Sequence, residues 1–508
     1  MKEKRSLMNI LSSMISQFMT IALGIIIPRM ILVNLGSESN GLITSISNIL
    51  TYVALLEAGV GAASIQALHK PLSEDNKDDI NGILSATAHY YKRTGAMYFV
   101  IVILLAFVLP FTIKTEIPVE QVILVVLFSG LPGAINYFFQ GKYRILLSAE
   151  GKSFLLTNLG TFAYVITSVA KIVLLNAGYG VVSIQILGFA TNFMQVIYIE
   201  IYIRRRYKWL NLNATPAYLK IKQSKNALIH QIAWLITSNT DTIVLTYFCG
   251  LKVVSIYSIY TFLYNSIGGI IRSFTEGVHF ALGQIYHDDI DKYKRIHSLY
   301  EIFIIGICFS LFCICAIYTN PFLKLYTANV SDIKYCDSVL PWLFAVVHIL
   351  VQARATSWET ISVAGHFRET QHQPIIEAVI NLSVSLILVC RLGIYGVLLG
   401  TVVASTYRLL SMIIYSRRAI MADSPWITCK RYFINIILSL LTCCILQKIS
   451  VVISVETYFT LLISAAFTSI IVIPFFLIVN LTFEKDSLHL LIRIIKDKIN
   501  LQHFLKIK

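Results

Sequence analysis

The sequence predicts an all-α polytopic membrane protein of about 14 transmembrane helices. Three observations predict it. First, 56% of the 508 residues are hydrophobic and only 14% are charged, with a mean hydropathy of +0.71. Ordinary globular domains run near 45–50% apolar and roughly 25% charged. Second, the apolar residues gather into runs long enough to cross the roughly 30 Å hydrocarbon layer, which takes about 20 residues of helix. Third, the basic residues fall in alternate loops. Together these exclude a soluble multidomain enzyme, and a disordered chain would reverse both fractions.

The apolar runs lie at about 9–33, 41–66, 94–113, 119–141, 154–176, 181–203, 226–249, 254–278, 298–318, 338–360, 374–390, 395–416, 432–450 and 456–480. They are uniformly apolar, whereas a membrane barrel needs alternating segments of about ten residues, so helices are expected. The first run follows MKEKR, is longer than a signal-peptide core and lacks a small-residue cleavage site, so it is expected to remain as a span. With the N-terminus placed inside, the inner segments hold about 31 Lys and Arg and the outer segments about six. Basic loops resist translocation, so this asymmetry places both termini in the cytoplasm. The net charge of +15 is then a matter of topology and requires no nucleic-acid partner.

The longest inner loops span about 67–93, 204–225 and 279–297, and the longest outer loop about 319–337, too short for a soluble catalytic domain. The tail, 484–508, sets Leu488, Leu491, Ile494, Ile495 and Ile499 near one helical face with Lys and Arg elsewhere. It is expected to lie as an amphipathic helix on the inner leaflet.

The two halves resemble each other at an offset of about 215 residues. NAGYGVVSIQILGFA (176–190) aligns with RLGIYGVLLGTVVAS (391–405), ALHKPLSEDNKDD (67–79) with ALGQIYHDDIDKY (281–293), and Gly36 falls over Gly250. The offset spans six helices and preserves orientation, so the repeat is parallel. The expected organisation is a six-helix bundle over 1–206, a cytoplasmic linker over 207–225 and a second six-helix bundle over 226–418. Helices 13 and 14 over 432–480 and the tail complete it. Two like bundles around a central cleft are an alternating-access architecture.

Charged side chains at the bilayer centre cost roughly 2.5–3.5 kcal/mol on insertion scales, so they tend to face water or one another. This chain carries Arg29 in span 1, Glu57 in span 2, Lys171 in span 5, Asp241 in span 7, and Arg272 and Glu276 in span 8. Arg354 and Glu359 fall in span 10, Glu377 in span 11 and Arg408 in span 12. Each admits a bland reading. Arg272 and Glu276 are four apart and can pair on one helix face. Glu57 and Lys171 lie toward span ends and can snorkel. Asp241 sits in the polar patch Ser238-Asn239-Thr240-Asp241-Thr242, where a carboxylate can bind Na⁺, carry a proton, or pair with a facing Arg. There is no GxxxxGK[ST] phosphate loop and no HExxH, and the nine cysteines form no CxxC pair, so neither ATP hydrolysis through a P-loop nor a metal site is expected.

The stretch PRMILVNLGSESNGLITSISNILTYVALLEAGVGAASIQALHKPLSEDN resembles the opening of bacterial Wzx-type polysaccharide flippases of the multidrug/oligosaccharidyl-lipid/polysaccharide (MOP) exporter superfamily. The Arg ending span 1, the LGxxxxGL loop, LLExGVGxA and KPLSEDN carry the resemblance, supported by LLSAEGKS after span 4 and the YG turns before spans 6 and 12. The segment RATSWETISVAGHFRET is more polar than that pattern. The resemblance implies a MATE-like fold in a bacterial plasma membrane. It also implies translocation of an undecaprenyl-pyrophosphate-type oligosaccharide for O-antigen, capsule or exopolysaccharide, with no bond made and therefore no enzyme activity. Polysaccharide polymerase or assembly proteins would be partners, beside membrane lipids. On that reading Arg29, Arg272, Arg354, Arg408 and Lys171 would hold the pyrophosphate, Arg being suited to bidentate phosphate oxygens. Asp241, Glu57, Glu276 and Glu359 would couple to a proton or sodium gradient, with no cofactor. The alternatives are a MATE-type drug or metabolite exporter and, more remotely, a membrane glycosyltransferase or O-antigen ligase, for which no large outer loop is present.

Overall fold

The computed structural model describes residues 2–57, 59–221, 225–450, 456–493 and 496, and among these it is helical throughout, without strands. Among the described residues, eleven helices are long and apolar enough to cross a membrane. Three features bring this close to the expected number of passes. Helix α1 (Lys2–Val53) contains two spans, since its backbone leaves helical geometry at Gly36 (φ 79°, ψ 172°). Helix α8 (Lys225–Phe248) and the broken pair α11 (Leu340–Ala353) and α12 (Ala355–Val363) coincide with the apolar runs at about 226–249 and 338–360. The result is a multi-pass membrane protein.

The chain divides into two compact units. Unit 1 comprises residues 1–258 and 329–333. It contains α1, α2 (Val60–Ser73), α3 (Lys77–Thr112), α4 (Val119–Ile135), α5 (Gly141–Ala149), α6 (Ser153–Asn176), α7 (Val181–Arg206), α8 and the first turns of α9 (Leu251–Asp288). Its division from unit 2 thus falls within α9, later than the 207–225 segment read as a linker from sequence. Two apolar clusters organise it. One centres on Leu42, Ile46, Val102, Val122 and Ile184, the other on Leu68, Ile83, Leu146 and Tyr207.

Unit 2 holds the remainder of α9, then α10 (Ile290–Tyr326), α11, α12, α13 (Phe367–Thr370), α14 (His372–Leu392), α15 (Ile394–Tyr415), α16 (Trp426–Ser450) and α17 (Tyr458–Thr482). Its central element is α10, whose most apolar window is 72% buried. Between α14 and α15 the packing depends on small residues, as expected where lipid removes the hydrophobic drive between helices. A Cβ at Gly396 would fall 2.5 Å from the Leu388 carbonyl oxygen, and one at Gly400 would fall 2.2 Å from Ser385 Oγ.

The internal repeat reappears in the backbone. Gly36 and Gly250, Gly151 and Gly365, and Gly178 and Gly393 are pairs at an offset of about 215 residues, and all six glycines have positive φ. Residues 485–493 of the tail are helical and include Leu488 and Leu491, while Ile494, Ile495 and Ile499 lie outside the described residues.

Candidate transport site

In unit 1 the candidate charged groups lie on α1, on the turn that follows it, on α6 and on α8. Arg29 follows Pro28 in α1 and is half-buried. Glu57 ends the 3-10 turn Ala54–Glu57 that follows α1, and its carboxylate accepts from the Tyr91 hydroxyl of α3. Lys171 is half-buried on α6 and makes no ion pair among the described residues. Asp241 is 3% exposed and accepts from the Tyr257 hydroxyl at 3.1 Å.

Around Asp241 runs a polar seam. Tyr52 of α1 meets Thr240 at 2.7 Å and donates to the Ile236 carbonyl at 2.9 Å. Ser45 meets Thr246 at 2.7 Å, and the Asn40 amide donates to Ser255 at 2.8 Å. The seam holds α1 to α8 and α9 by the interhelical hydrogen bonds that substitute for hydrophobic drive in lipid.

In unit 2 the expected cations separate into two kinds. Arg354 and Arg408 are paired and mostly buried, and both reach Glu377 of α14. Arg354 Nη1 lies 2.5 Å from Glu377 Oε1, and Arg408 Nε lies 3.7 Å from Oε2, while Arg408 also donates to the Gln373 side chain at 2.9 Å. Two guanidiniums on one carboxylate leave the group formally one positive charge in excess. Arg272 is different. It is exposed on α9 and forms no ion pair among the described residues, not even with Glu276 one turn away.

Arg272 belongs to a pattern. Asn265, Arg272, Glu276 and His279 are all exposed, and their spacings of seven, four and three place them on one helical face. His279 Nδ1 lies 2.6 Å from Glu359 Oε1 of α12. A charged stripe left uncovered on a membrane helix is stable only against water or polar headgroups.

A further cavity, about 540 Å³, lies along α6 and α7. It is lined by Val165, Ile166, Val169, Val173 and Leu187, and by none of the charged candidates. Among the described residues no cluster of three His, Cys, Asp or Glu could hold a metal ion.

No protein-family model and no curated protein matches the chain. Solved structures do. An inward-facing multidrug-resistance MATE transporter of the MOP superfamily matches with a TM-score of 0.62 at 16% identity, covering 80% of this chain and 95% of its own. Lipid II flippase MurJ in an inward closed conformation matches with a TM-score of 0.65 at 15% identity, covering 94% of this chain and 100% of its own. The fold is that of MATE and MurJ transporters. The MATE multidrug transporter DinF-BH is also similar, with a TM-score of 0.58 at 14% identity over 83% of this chain and 96% of its own.

Within this MATE- and MurJ-like fold one ionic group escaped the sequence reading. Glu301 of α10, 1% exposed, accepts from both Arg417, in the turn that follows α15, and Arg431 of α16. Thr428 donates to its other oxygen at 2.9 Å, and Arg431 continues to Glu484 at 2.6 Å. Arg417 and Arg431 had the appearance of ordinary loop cations, since each flanks an apolar run. An isolated Glu301 inside the 298–318 run was the available signal, and it points to a partner without saying which.

Proposed function

We propose that this chain is a flippase that carries a polyprenyl-pyrophosphate-linked oligosaccharide across the bacterial plasma membrane by ion-coupled alternating access, with both termini cytoplasmic. The observation that carries the reading is the exposed stripe on α9, with Arg272 uncompensated by any carboxylate in ion-pair contact among the described residues. Glycan and pyrophosphate cannot cross hydrocarbon bare, because each unsatisfied polar group costs several kcal/mol. A guanidinium on a wet helix face replaces water around phosphate oxygens. The lipid tail needs no such path and stays in the bilayer.

The likeness to MurJ supports a lipid-linked substrate over a compact drug. MurJ extends over 94% of this chain, whereas the MATE structure, itself 95% matched, leaves a fifth of this chain beyond it. Arg29 and Lys171 are the cations that unit 1 would offer a pyrophosphate, and within unit 2 Arg354 and Arg408 would offer the excess charge left after Glu377. Asp241, Glu57, Glu276 and Glu359 are the carboxylates available to a coupling proton or sodium ion, and about 2.3 kcal/mol per charge is available per 100 mV.

The test is complementation of a bacterium lacking its own repeat-unit flippase. Restored surface polysaccharide, with loss of the accumulated lipid-linked precursor, is the expected result. Efflux of a cationic dye without any restored polysaccharide would instead place the chain with the MATE drug exporters.

A further inference from the structure

His279 and Glu359 form a pair that the coupling question needs and that no other group in unit 2 duplicates among the described residues. Glu359 is enclosed, its side chain 7% exposed, whereas the His279 side chain is 51% exposed. A buried carboxylate is therefore joined at 2.6 Å to an imidazole that is half exposed at the surface of the helix. Histidine as a side-chain type changes charge within the physiological pH range, so a histidine–carboxylate contact has the chemistry for both an ion pair and a neutral hydrogen bond. The other carboxylates lack this arrangement. Glu377 and Glu301 are each held by two arginines instead of a histidine.

The surroundings do not supply a substitute partner. From α10, Tyr293 and Tyr300 face Glu359, with the Tyr293 hydroxyl 3.1 Å from Thr360. His297 is turned to the Thr356 carbonyl at 3.0 Å, and Glu301 is engaged with its arginines. In the π-helical turn Ser416–Ile420, Arg417 is engaged with Glu301 and Asp423, while Arg418 is exposed. From α11 and α15, Arg354 and Arg408 belong to Glu377. On α9 itself, Glu276 and Arg272 precede His279 along the same face.

We propose that His279 and Glu359 are the proton-binding site of this transporter, His279 taking the proton from water and Glu359 holding the imidazolium as an ion pair. This rests on the reading of the chain as an ion-coupled transporter. In the loaded form Nδ1–H of the imidazolium donates to Oε1 and the pair is neutral. Release of the proton to water leaves a neutral imidazole and one uncompensated, enclosed carboxylate, which favours a different placement of α9 against α12. The two protonation states therefore bias two conformations, which is what coupling requires.

Two measurements on the full-length protein test it. The first needs no substrate. Apparent Tm is measured for the purified protein in nanodiscs, comparing wild type, His279→Gln, Glu359→Gln and the double variant at pH 6 and pH 8.5. The single effects should be non-additive at pH 6 and close to additive at pH 8.5. Non-additivity that is equal at both pH values would mean a fixed structural hydrogen bond and would overturn the proposal. The second measures surface polysaccharide in the complemented strain with and without a protonophore. Wild-type export should fall several-fold on collapsing the proton gradient, and the residual export of either variant should not respond. Variants that respond like wild type, or wild-type export that follows a sodium gradient alone, would also overturn it. If wild type exports no polysaccharide at all, the substrate reading fails, while the pH-dependent cycle still decides whether the pair binds a proton as an ion pair.

Discussion

Asp332 binds Ser37 twice, its Oδ1 accepting from the Ser37 hydroxyl at 2.7 Å and its Oδ2 from the Ser37 backbone N–H at 2.8 Å. The contact sits where α1 turns. Gly36 takes a positive φ of 79° with ψ 172°, which breaks the helical geometry there, and the first N–H groups of a new helical segment are the ones that side chains commonly cap. A carboxylate placed there satisfies one of them and meets the positive end of the following helical segment.

Asp332→Ala removes two hydrogen bonds to a charged group and should therefore lower stability by about 1.5–3 kcal/mol. Asp332→Asn, which keeps an acceptor, should cost less. Apparent Tm of the purified protein reads both. An alanine variant as stable as wild type would show that water serves Ser37 equally well.

Glu301 offers a larger effect. Removing it leaves Arg417 and Arg431, 4% and 1% exposed, facing each other without a shared counterion. Breaking a buried pair by deleting one partner costs about 3–5 kcal/mol. Glu301→Ala should lower the yield of folded protein sharply, and Glu301→Gln should be intermediate. Unchanged thermal stability in Glu301→Ala would mean that Asp423 and Glu484 suffice to neutralise Arg417 and Arg431.

Arg272 should behave in the opposite way. Being exposed and outside any ion pair among the described residues, it contributes little to packing, so Arg272→Ala should insert and melt like wild type. Its export should fall about tenfold or more, the order expected from one lost charge-assisted phosphate contact of roughly 1.5–3 kcal/mol. Arg272→Lys should retain part of the activity. Equal export by both variants and wild type would leave Arg272 without a transport role.

One acid-dependent term lies outside the membrane spans. Burial alone would raise the Asp337 carboxyl, but hydrogen bonds from the Tyr395 hydroxyl and from the N–H groups of Leu340 and Val339 outweigh it and hold the group below the ordinary carboxylate range. A depressed folded pKa means that this stabilisation is present above the unfolded value of about 3.9 and is lost as pH falls through the folded value. Asp337→Asn should thus be less stable than wild type at pH 7, with the gap closing in strong acid. A gap that persists unchanged at pH 2 would assign the effect to shape rather than to charge.

The layout was legible because bilayer physics writes itself locally: each span is a contiguous apolar run, and the turning glycines recur at the repeat offset. Gly36 and Gly250, aligned on sequence alone, share a positive φ. The ionic interior was not legible in the same way. Arg417 and Arg431 lie 116 and 130 residues from the Glu301 they meet, so no periodicity connects them. Arg272 and Glu276 carry the helical spacing of a pair and do not pair. His279 gave no signal, because its partner Glu359 is 80 residues away on another helix.

The central claim is movement of a lipid-linked, pyrophosphate-bearing glycan through a path that uses Arg272. Purified protein in proteoliposomes containing a fluorescent polyprenyl-pyrophosphate oligosaccharide tests it most directly, with leaflet exposure read by an impermeant quencher or lectin. The account predicts transfer between leaflets that wild type accelerates and Arg272→Ala does not. Transfer no faster than in protein-free vesicles, or equally fast with Arg272→Ala, would contradict it.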